Sequence, residues 1–174
     1  MERKYITKLD IKDGYHRLRI KAGDEWKTAF ITPIGLYEWK VMCFGLANAP
    51  AEFARFVIGL LHEYINKFVS VYFDDMTIYS KTLEEHREHV LKVLRILSDN
   101  EITLKTSKCE FDQAEVDLLG EVVSGTEMKM QEKKVRAVLD WPEPDSEKSV
   151  QWNKKNLERF RGLAGYYRRY IQGF

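Results

Sequence analysis

The chain carries only two cysteines in 174 residues, Cys43 and Cys109, and they lack the spacing of a metal site. That argues against a disulfide scaffold or a zinc module and leaves a reduced, intracellular chain as the expectation. No apolar run approaches the ~20 residues of a membrane span, and Met1-Glu2-Arg3-Lys4 leads straight into a strand-like segment, so no secretory signal is expected. Neither sign of charge dominates: 28 Lys and Arg face 27 Asp and Glu, a net charge of +1. Bulk charge therefore does not announce a nucleic-acid partner. Internal repeats and low-complexity segments are lacking too. What is present is a 44% hydrophobic sequence with mean hydropathy of −0.43, the composition of a soluble chain long enough to bury a real core. Basic residues gather late: Lys133, Lys134, Arg136, Lys154, Lys155, Arg159, Arg161, Arg168 and Arg169 crowd the last quarter. Such a cluster suits either a solvated helix face or a phosphate-binding one.

Strand signals come first. Tyr5 to Leu9 is a short apolar run ending on Asp10, Asp13-Gly14 marks a turn, and Leu18-Arg19-Ile20 alternates. Residues 28–32 and 36–42 read as a hairpin about Pro33-Ile34-Gly35. Asn48 and Pro50 then open a helix, as cap and first-turn residue, and Phe53, Phe56, Val57, Leu60, Leu61 and Tyr64 recur on one face of it. Thr82-Leu83-Glu84-Glu85 is a capping box for a second helix that stops near Asn100. His86 and His89 on that helix stand among Glu84, Glu85, Arg87 and Glu88 and read as a solvated surface rather than a metal pair. Ile102 to Leu104 forms a short strand and Lys105 to Lys108 a polar loop. Val116 to Val123 and Met128 to Met130 suggest a hairpin about Ser124-Gly125. From Gln131 the character changes to two amphipathic helices, residues 132–140 and 156–170, broken by Trp141-Pro142 and Pro144-Asp145-Ser146.

The segment Phe68 to Ser80 is the most informative. Two strand-favouring arms flank Asp74-Asp75, and carboxylates occupy a hairpin tip where Gly or Asn is the usual choice. Taken alone, an Asp-Asp pair is a solvated turn. Here the flanking arms are apolar, and Asp10 ends a similar run upstream. Two adjacent carboxylates repel, and a divalent cation relieves that repulsion. An α+β fold, an antiparallel sheet with helices on one face, would bring the strand ending at Asp10 beside this hairpin. Three carboxylates would then meet at one sheet edge and suit two divalent ions, Mg²⁺ best, with Mn²⁺ as a substitute.

Leu9-Asp10-Ile11-Lys12-Asp13-Gly14-Tyr15-His16, the Met-x-Phe-Gly-Leu-x-Asn-Ala-Pro segment ending at Pro50, Tyr72-Phe73-Asp74-Asp75, Lys108-Cys109-Glu110-Phe111, Leu119-Gly120 and Leu163 to Ile171 occur in order. Together they resemble the reverse transcriptases of Ty3/Gypsy-type long-terminal-repeat retrotransposons, across essentially the whole chain. The resemblance implies a polymerase palm over residues 1–130, with a fingers part at about 18–45, and a partial helical thumb over 131–174. It implies RNA-directed DNA polymerase activity: transfer of dNTPs to a primer 3′-hydroxyl on an RNA or DNA template. Asp10, Asp74 and Asp75 would be the catalytic carboxylates, and the Ile11 carbonyl would face the nucleotide's metal. Tyr15 would exclude a 2′-hydroxyl. Phe44, Gly45, Asn48 and Pro50 would form the nucleotide pocket, and Lys108 would stand near the triphosphate. Tyr72, Leu119 and Gly120 would hold the primer end, and Lys154, Lys155, Arg159, Arg168 and Arg169 would grip the duplex phosphates.

The sequence departs from the family text in places. Cys43 and Thr106 replace usual prolines, and Glu121 replaces a His or aromatic residue, adding negative charge where a primer backbone would lie. The connection over residues 148–155 is also unlike the family's. The family's upstream fingers segment would precede Met1, so the expected object is a palm core with partial fingers and thumb. Its exposed sheet edge is expected to promote self-association. No membrane partner is expected, and a cytoplasmic particle or the nucleus is the expected location. Two rivals stand beside the polymerase: a degraded, non-catalytic derivative that binds nucleic acid or a partner, and an unrelated Mg²⁺ phosphatase. The second accounts for the carboxylates but not for Tyr15 or the Phe44 to Pro50 segment.

Overall fold

The computed structural model describes residues 3–72, 75–125 and 127–174. The chain packs as two compact units, Met1–Val116 and Asp117–Phe174. The change in sequence character near residue 130 thus lies inside the second unit.

The first unit is built on a four-stranded antiparallel sheet. β1 (Tyr5–Asp10) pairs with β5 (Asp75–Ser80), and β5 pairs with β4 (Val69–Tyr72). β6 (Glu110–Gln113) pairs on the other side of β1, giving the order β4-β5-β1-β6. A separate hairpin joins β2 (Phe30–Thr32) to β3 (Gly35–Tyr37) around Pro33-Ile34. α1 (Ala49–Leu61) buries Ala49, Phe53, Val57 and Leu61, one per turn, and α2 (Leu83–Asp99) buries Val90, Val93 and Leu97. These residues pack with Leu9, Met76 and Ile78 into one apolar core. Strand period two does the rest. Thr7 and Leu9 of β1, with Met76, Ile78 and Ser80 of β5, face the helices, so Lys8, Asp10 and Asp75 project from the opposite face.

Thr82 caps α2 by accepting from Glu85 N–H (3.3 Å), and the Glu85 carboxylate reaches back to Lys81 N–H (3.0 Å). The box expected from the sequence is thus displaced by one residue on its return arm. Asn48 precedes α1 without a side-chain cap, contrary to expectation; Pro50 sits in the first turn as expected.

The histidines overturn their sequence reading. His86 is fully buried. Its Nε2 meets Thr7 Oγ1 at 2.8 Å, and its Nδ1 meets Ser80 Oγ at 2.9 Å. His89 Nδ1 lies 2.8 Å from the same Ser80 Oγ, and the His89 ring stacks on Phe68 at 3.6 Å. Ser80 has one proton, so it donates to one ring and accepts from the other. Asp112 N–H donates to Thr7 Oγ1 (3.2 Å), which brings β6 into the same network. Burial pushes both imidazole pKa values down; the Asp112 carboxylate opposes this at His86, and Glu85 opposes it at His89. The folded chain therefore refuses protons that the unfolded chain accepts. This contribution to stability is full above the ordinary imidazole value of about 6.5 and is lost as pH falls from there through the lowered folded values. The unfolding free energy from urea denaturation is expected to drop between pH 7.5 and 5.5, by up to about 1.4 kcal/mol per pH unit per histidine, and His86→Gln is expected to flatten that slope. An equal slope in the variant would assign the loss to other groups.

In the second unit, β8 (Glu121–Ser124) lies between β7 (Glu115–Leu118) and β9 (Met128–Met130). α3 (Glu132–Leu139) and α4 (Val150–Tyr166) follow. Ser149 caps α4 by accepting from Trp152 N–H (3.2 Å). Asp145 and Asn153 exchange two hydrogen bonds, and Asn156 donates to Pro142 O (3.1 Å). The last helix spans Val150–Tyr166 rather than the expected 156–170, so most of the unusual 148–155 segment forms its first turns; Trp141 packs against Phe160 with ring centroids 6.0 Å apart.

Candidate active site

The site begins with register. Asp10, the last residue of β1, stands opposite Asp75, the first of β5, and Asp75 stands opposite Tyr72, the last of β4. Three strand ends thus form one row on the sheet face away from the helices, which is the adjacency expected of the Asp10 strand and the Asp-Asp hairpin. Asp74 lies outside the described residues. Both described carboxylates are half-buried and each has a cation near it: Lys108 Nζ is 3.6 Å from Asp10 Oδ2, and Lys8 Nζ is 3.7 Å from Asp75 Oδ1. Lys8 went unnoticed in the sequence. It lies two residues before Asp10 and so on the same face, diagonal to Asp75, but that diagonal exists only once β1 is paired with β5.

A cleft of about 440 Å³ opens beside Asp10, lined by Ile11, Lys12, Asp13 and the segment from Leu104 to Lys108. Backbone bonds tie its two walls together: Lys105 N–H donates to Asp10 O (2.9 Å) and Lys12 N–H to Thr103 O (2.8 Å). Cys109 lies behind the carboxylate, its Sγ accepting from Asp10 N–H at 3.5 Å.

Tyr15 sits on a single 3₁₀ turn, Gly14–Arg17. Its ring packs edge-on against Phe44 (5.2 Å) and Phe53 (5.5 Å). Glycine is required at 14 because a Cβ there would lie 2.3 Å from Phe53 Cζ. Phe44 is 65% exposed, so one side of this aromatic set faces solvent. Gly45 adopts φ +94°, a left-handed conformation that suits glycine. The structure thus groups Tyr15, Phe44 and Gly45 ahead of α1, with Asn48 and Pro50 at that helix's start.

In the second unit, Leu119 and Gly120 form the two-residue turn between β7 and β8, with φ +53° and +84°. Lys154, Lys155 and Arg159 are exposed on α4, and Arg168 is exposed on the 3₁₀ turn that follows it. Arg169 differs from these. Its guanidinium donates to Glu121 Oε2 and, at 3.0 Å, to Tyr170 Oη. The expectation that Glu121 adds a bare negative charge is therefore corrected: its side chain is only 10% exposed and its charge is paired.

The profile of the family described as "Reverse transcriptase (RNA-dependent DNA polymerase)" matches residues 1–123. The chain belongs to this reverse transcriptase family. It is 38% identical over 171 residues to the retrovirus-related Pol polyprotein from transposon opus of Drosophila melanogaster, covering 98% of this chain and 16% of that protein. It is 37% identical over 166 residues to the Transposon Tf2-3 polyprotein of Schizosaccharomyces pombe, covering 95% of this chain and 12% of the polyprotein. The chain thus spans about one-sixth or less of these relatives. These transposon polyproteins agree with the Ty3/Gypsy resemblance carried by the motifs. Among solved structures, a foamy viral protease-reverse transcriptase in complex with double-stranded DNA superposes with a TM-score of 0.82 at 25% identity, over 95% of this chain and 28% of that one. A foamy viral protease-reverse transcriptase bound to an RNA/DNA hybrid gives 0.78 at 25% identity, over 95% and 21%. The α+β architecture is that of the reverse transcriptase palm region. Among the described residues, no helix is long and apolar enough to cross a membrane.

Proposed function

We propose that this reverse transcriptase chain is a polymerase core that adds deoxynucleotides to a primer 3′-hydroxyl on an RNA or DNA template. The observation that carries the reading is the pairing of Asp10 with Asp75 across β1 and β5, with Asp10 lining the cleft. The donor chemistry fits hard divalent cations. It consists of carboxylate oxygens, with the Ile11 carbonyl beside them in the sequence, and these are hard oxygen donors. Among the described residues no group of three His, Cys, Asp or Glu is gathered; Asp74 would add the third carboxylate. Asp10, Asp74 and Asp75, with the Ile11 carbonyl, would hold two Mg²⁺ ions. Bound there, such ions activate an attacking hydroxyl and neutralise a leaving pyrophosphate.

The chain's own residues do the rest. Lys8 and Lys108 hold the carboxylates' charge in balance, and Lys108, on the cleft wall, is placed to turn from Asp10 to the phosphates of a nucleotide. Tyr15 packs edge-on against Phe44 and Phe53; held there, its ring would lie under a bound sugar and exclude a 2′-hydroxyl by contact. Tyr15→Ala is expected to raise ribonucleotide incorporation relative to deoxynucleotide by about tenfold or more, an effect on the order of 1.4 kcal/mol. Unchanged selectivity in single-nucleotide incorporation would remove Tyr15 from this role. Exposed Lys154, Lys155, Arg159 and Arg168 would meet duplex phosphates. Solved relatives that hold double-stranded DNA and an RNA/DNA hybrid support nucleic acid as the partner.

The deciding experiment is primer extension on an RNA template in Mg²⁺ or Mn²⁺, beside an Asp74→Asn control. Extension by the parent and not by the control is expected. A parent that binds template–primer without extending it would favour the non-catalytic derivative instead.

A further inference from the structure

Three consecutive residues, Leu119, Gly120 and Glu121, are each met by a side chain from the end of α4 or the turn beyond it. Tyr166 Oη donates to Leu119 O at 3.4 Å. Tyr167, 3% exposed, lays its hydroxyl against Gly120, where a Cβ would lie 2.7 Å from that oxygen. Arg169 pairs with Glu121. The turn so held is strained: Leu119 is a branched residue at φ +53°, and such a conformation persists only where its surroundings over-determine it. The Tyr166 and Tyr167 rings brace each other edge-on at 4.8 Å. Arg169 spends one nitrogen, Nη2, on both Glu121 and Tyr170, and its guanidinium lies 4.9 Å over the Tyr170 ring. Tyr170 and a nearly buried carboxylate thus engage the Arg169 guanidinium, while the side chain as a whole stays 54% exposed.

We propose that the end of α4 is a strap on the Leu119–Gly120 turn, and that Arg169 is a positioning residue acting through Glu121 rather than a ligand of nucleic-acid phosphate. The inference deepens the polymerase reading, because that reading places the primer end on this turn. In it, Glu121 is the counter-charge that makes Arg169 part of the turn's support. A turn released by loss of the strap would misplace the primer end, and a displacement of about 1 Å can lower a rate about 100-fold.

The test combines two readouts that need no catalysis. Hydrogen exchange at amides 118–122 is followed in the parent, Glu121→Gln, Arg169→Met and Arg169→Lys. Salt dependence of template–primer binding is measured on the parent, Arg169→Met and Arg168→Met. Glu121→Gln and Arg169→Met are each expected to speed exchange about tenfold, and Arg169→Lys, which keeps the charge, to stay within about threefold of the parent. The slope of log affinity against log salt is expected to be unchanged in Arg169→Met and to fall by about one in Arg168→Met. Parent-like exchange in both Glu121→Gln and Arg169→Met overturns the strap. A slope lowered by about one in Arg169→Met assigns that residue to phosphate and overturns its positioning role. Primer extension by the parent is read separately: a parent that shows the strap in exchange but extends no primer counts against the polymerase reading alone.

Discussion

Asp10→Asn is expected to reduce primer extension about 1,000-fold while template–primer binding stays within about twofold. The substitution keeps the shape of the side chain and removes its charge. Asp10 is half-buried at the end of β1, its carbonyl held by Lys105 N–H and its own N–H by Cys109 Sγ, so the Asn side chain is expected to occupy the same place. What is lost is one of the charges that would hold the proposed divalent ions, and electrostatic contributions of this kind are worth about 10²–10³ in rate. Lys108 makes the expectation sharper. With a neutral side chain at 10 its partner is gone, and an unopposed cation in the cleft would bind the nucleotide's phosphates no less well. The predicted signature is therefore a fall in kcat with KM for dNTP unchanged or lower. Single-nucleotide incorporation under saturating template–primer measures both. A variant that retains a tenth or more of the parent rate would remove Asp10 from the metal-holding set, and with it the argument built on the β1–β5 register.

Phe53→Ala is expected to lower unfolding stability by about 3–5 kcal/mol, the range for truncating a buried aromatic. Against a total of about 5–15 kcal/mol this is enough to leave the chain marginal at 37 °C. Phe53 is 1% exposed on α1, in the core shared with Leu9, Met76 and Ile78. It also carries the Gly14 turn and the Tyr15 ring on its own ring, so the cavity left behind undermines Tyr15 as well as the core. Urea denaturation gives the first effect. The second is read in a paired substitution. Gly14→Ala alone overpacks against Phe53 and is expected to cost about 1–3 kcal/mol. Combined with Phe53→Ala it has room, so the two losses should fall short of additive. Additive losses, or a Phe53→Ala loss under about 1.5 kcal/mol, would mean that the two residues do not share this contact in solution.

Much of this was legible in the chain. The arms around Asp74-Asp75 are β4 and β5, the run before Asp10 is β1, and the four-residue recurrence of Phe53, Val57 and Leu61 is the buried face of α1. These are periodicities of single elements, and a single element's pattern survives without its neighbours. β6 was not legible. Glu110-Phe111-Asp112-Gln113 is exposed at every position, because an edge strand can be held by backbone hydrogen bonds and needs no apolar face. Its pairing was decided by β1. The histidines misled for a related reason. Their neighbours on α2 are charged and solvated, and nothing local shows that positions 86 and 89 turn toward Thr7 and Ser80, which lie 79 and 6 residues from His86.

The sequence by itself determined the family, through motifs whose order and spacing are a one-dimensional property, and it determined the strands around the carboxylates and the apolar face of α1. Only the tertiary structure decided what each charge does. Asp10 and Asp75 are opposed, Lys8 and Lys108 stand beside them, and Glu121 pairs with Arg169. Electrostatic interactions depend on distance and burial, and neither exists until strands from distant parts of the chain are in register.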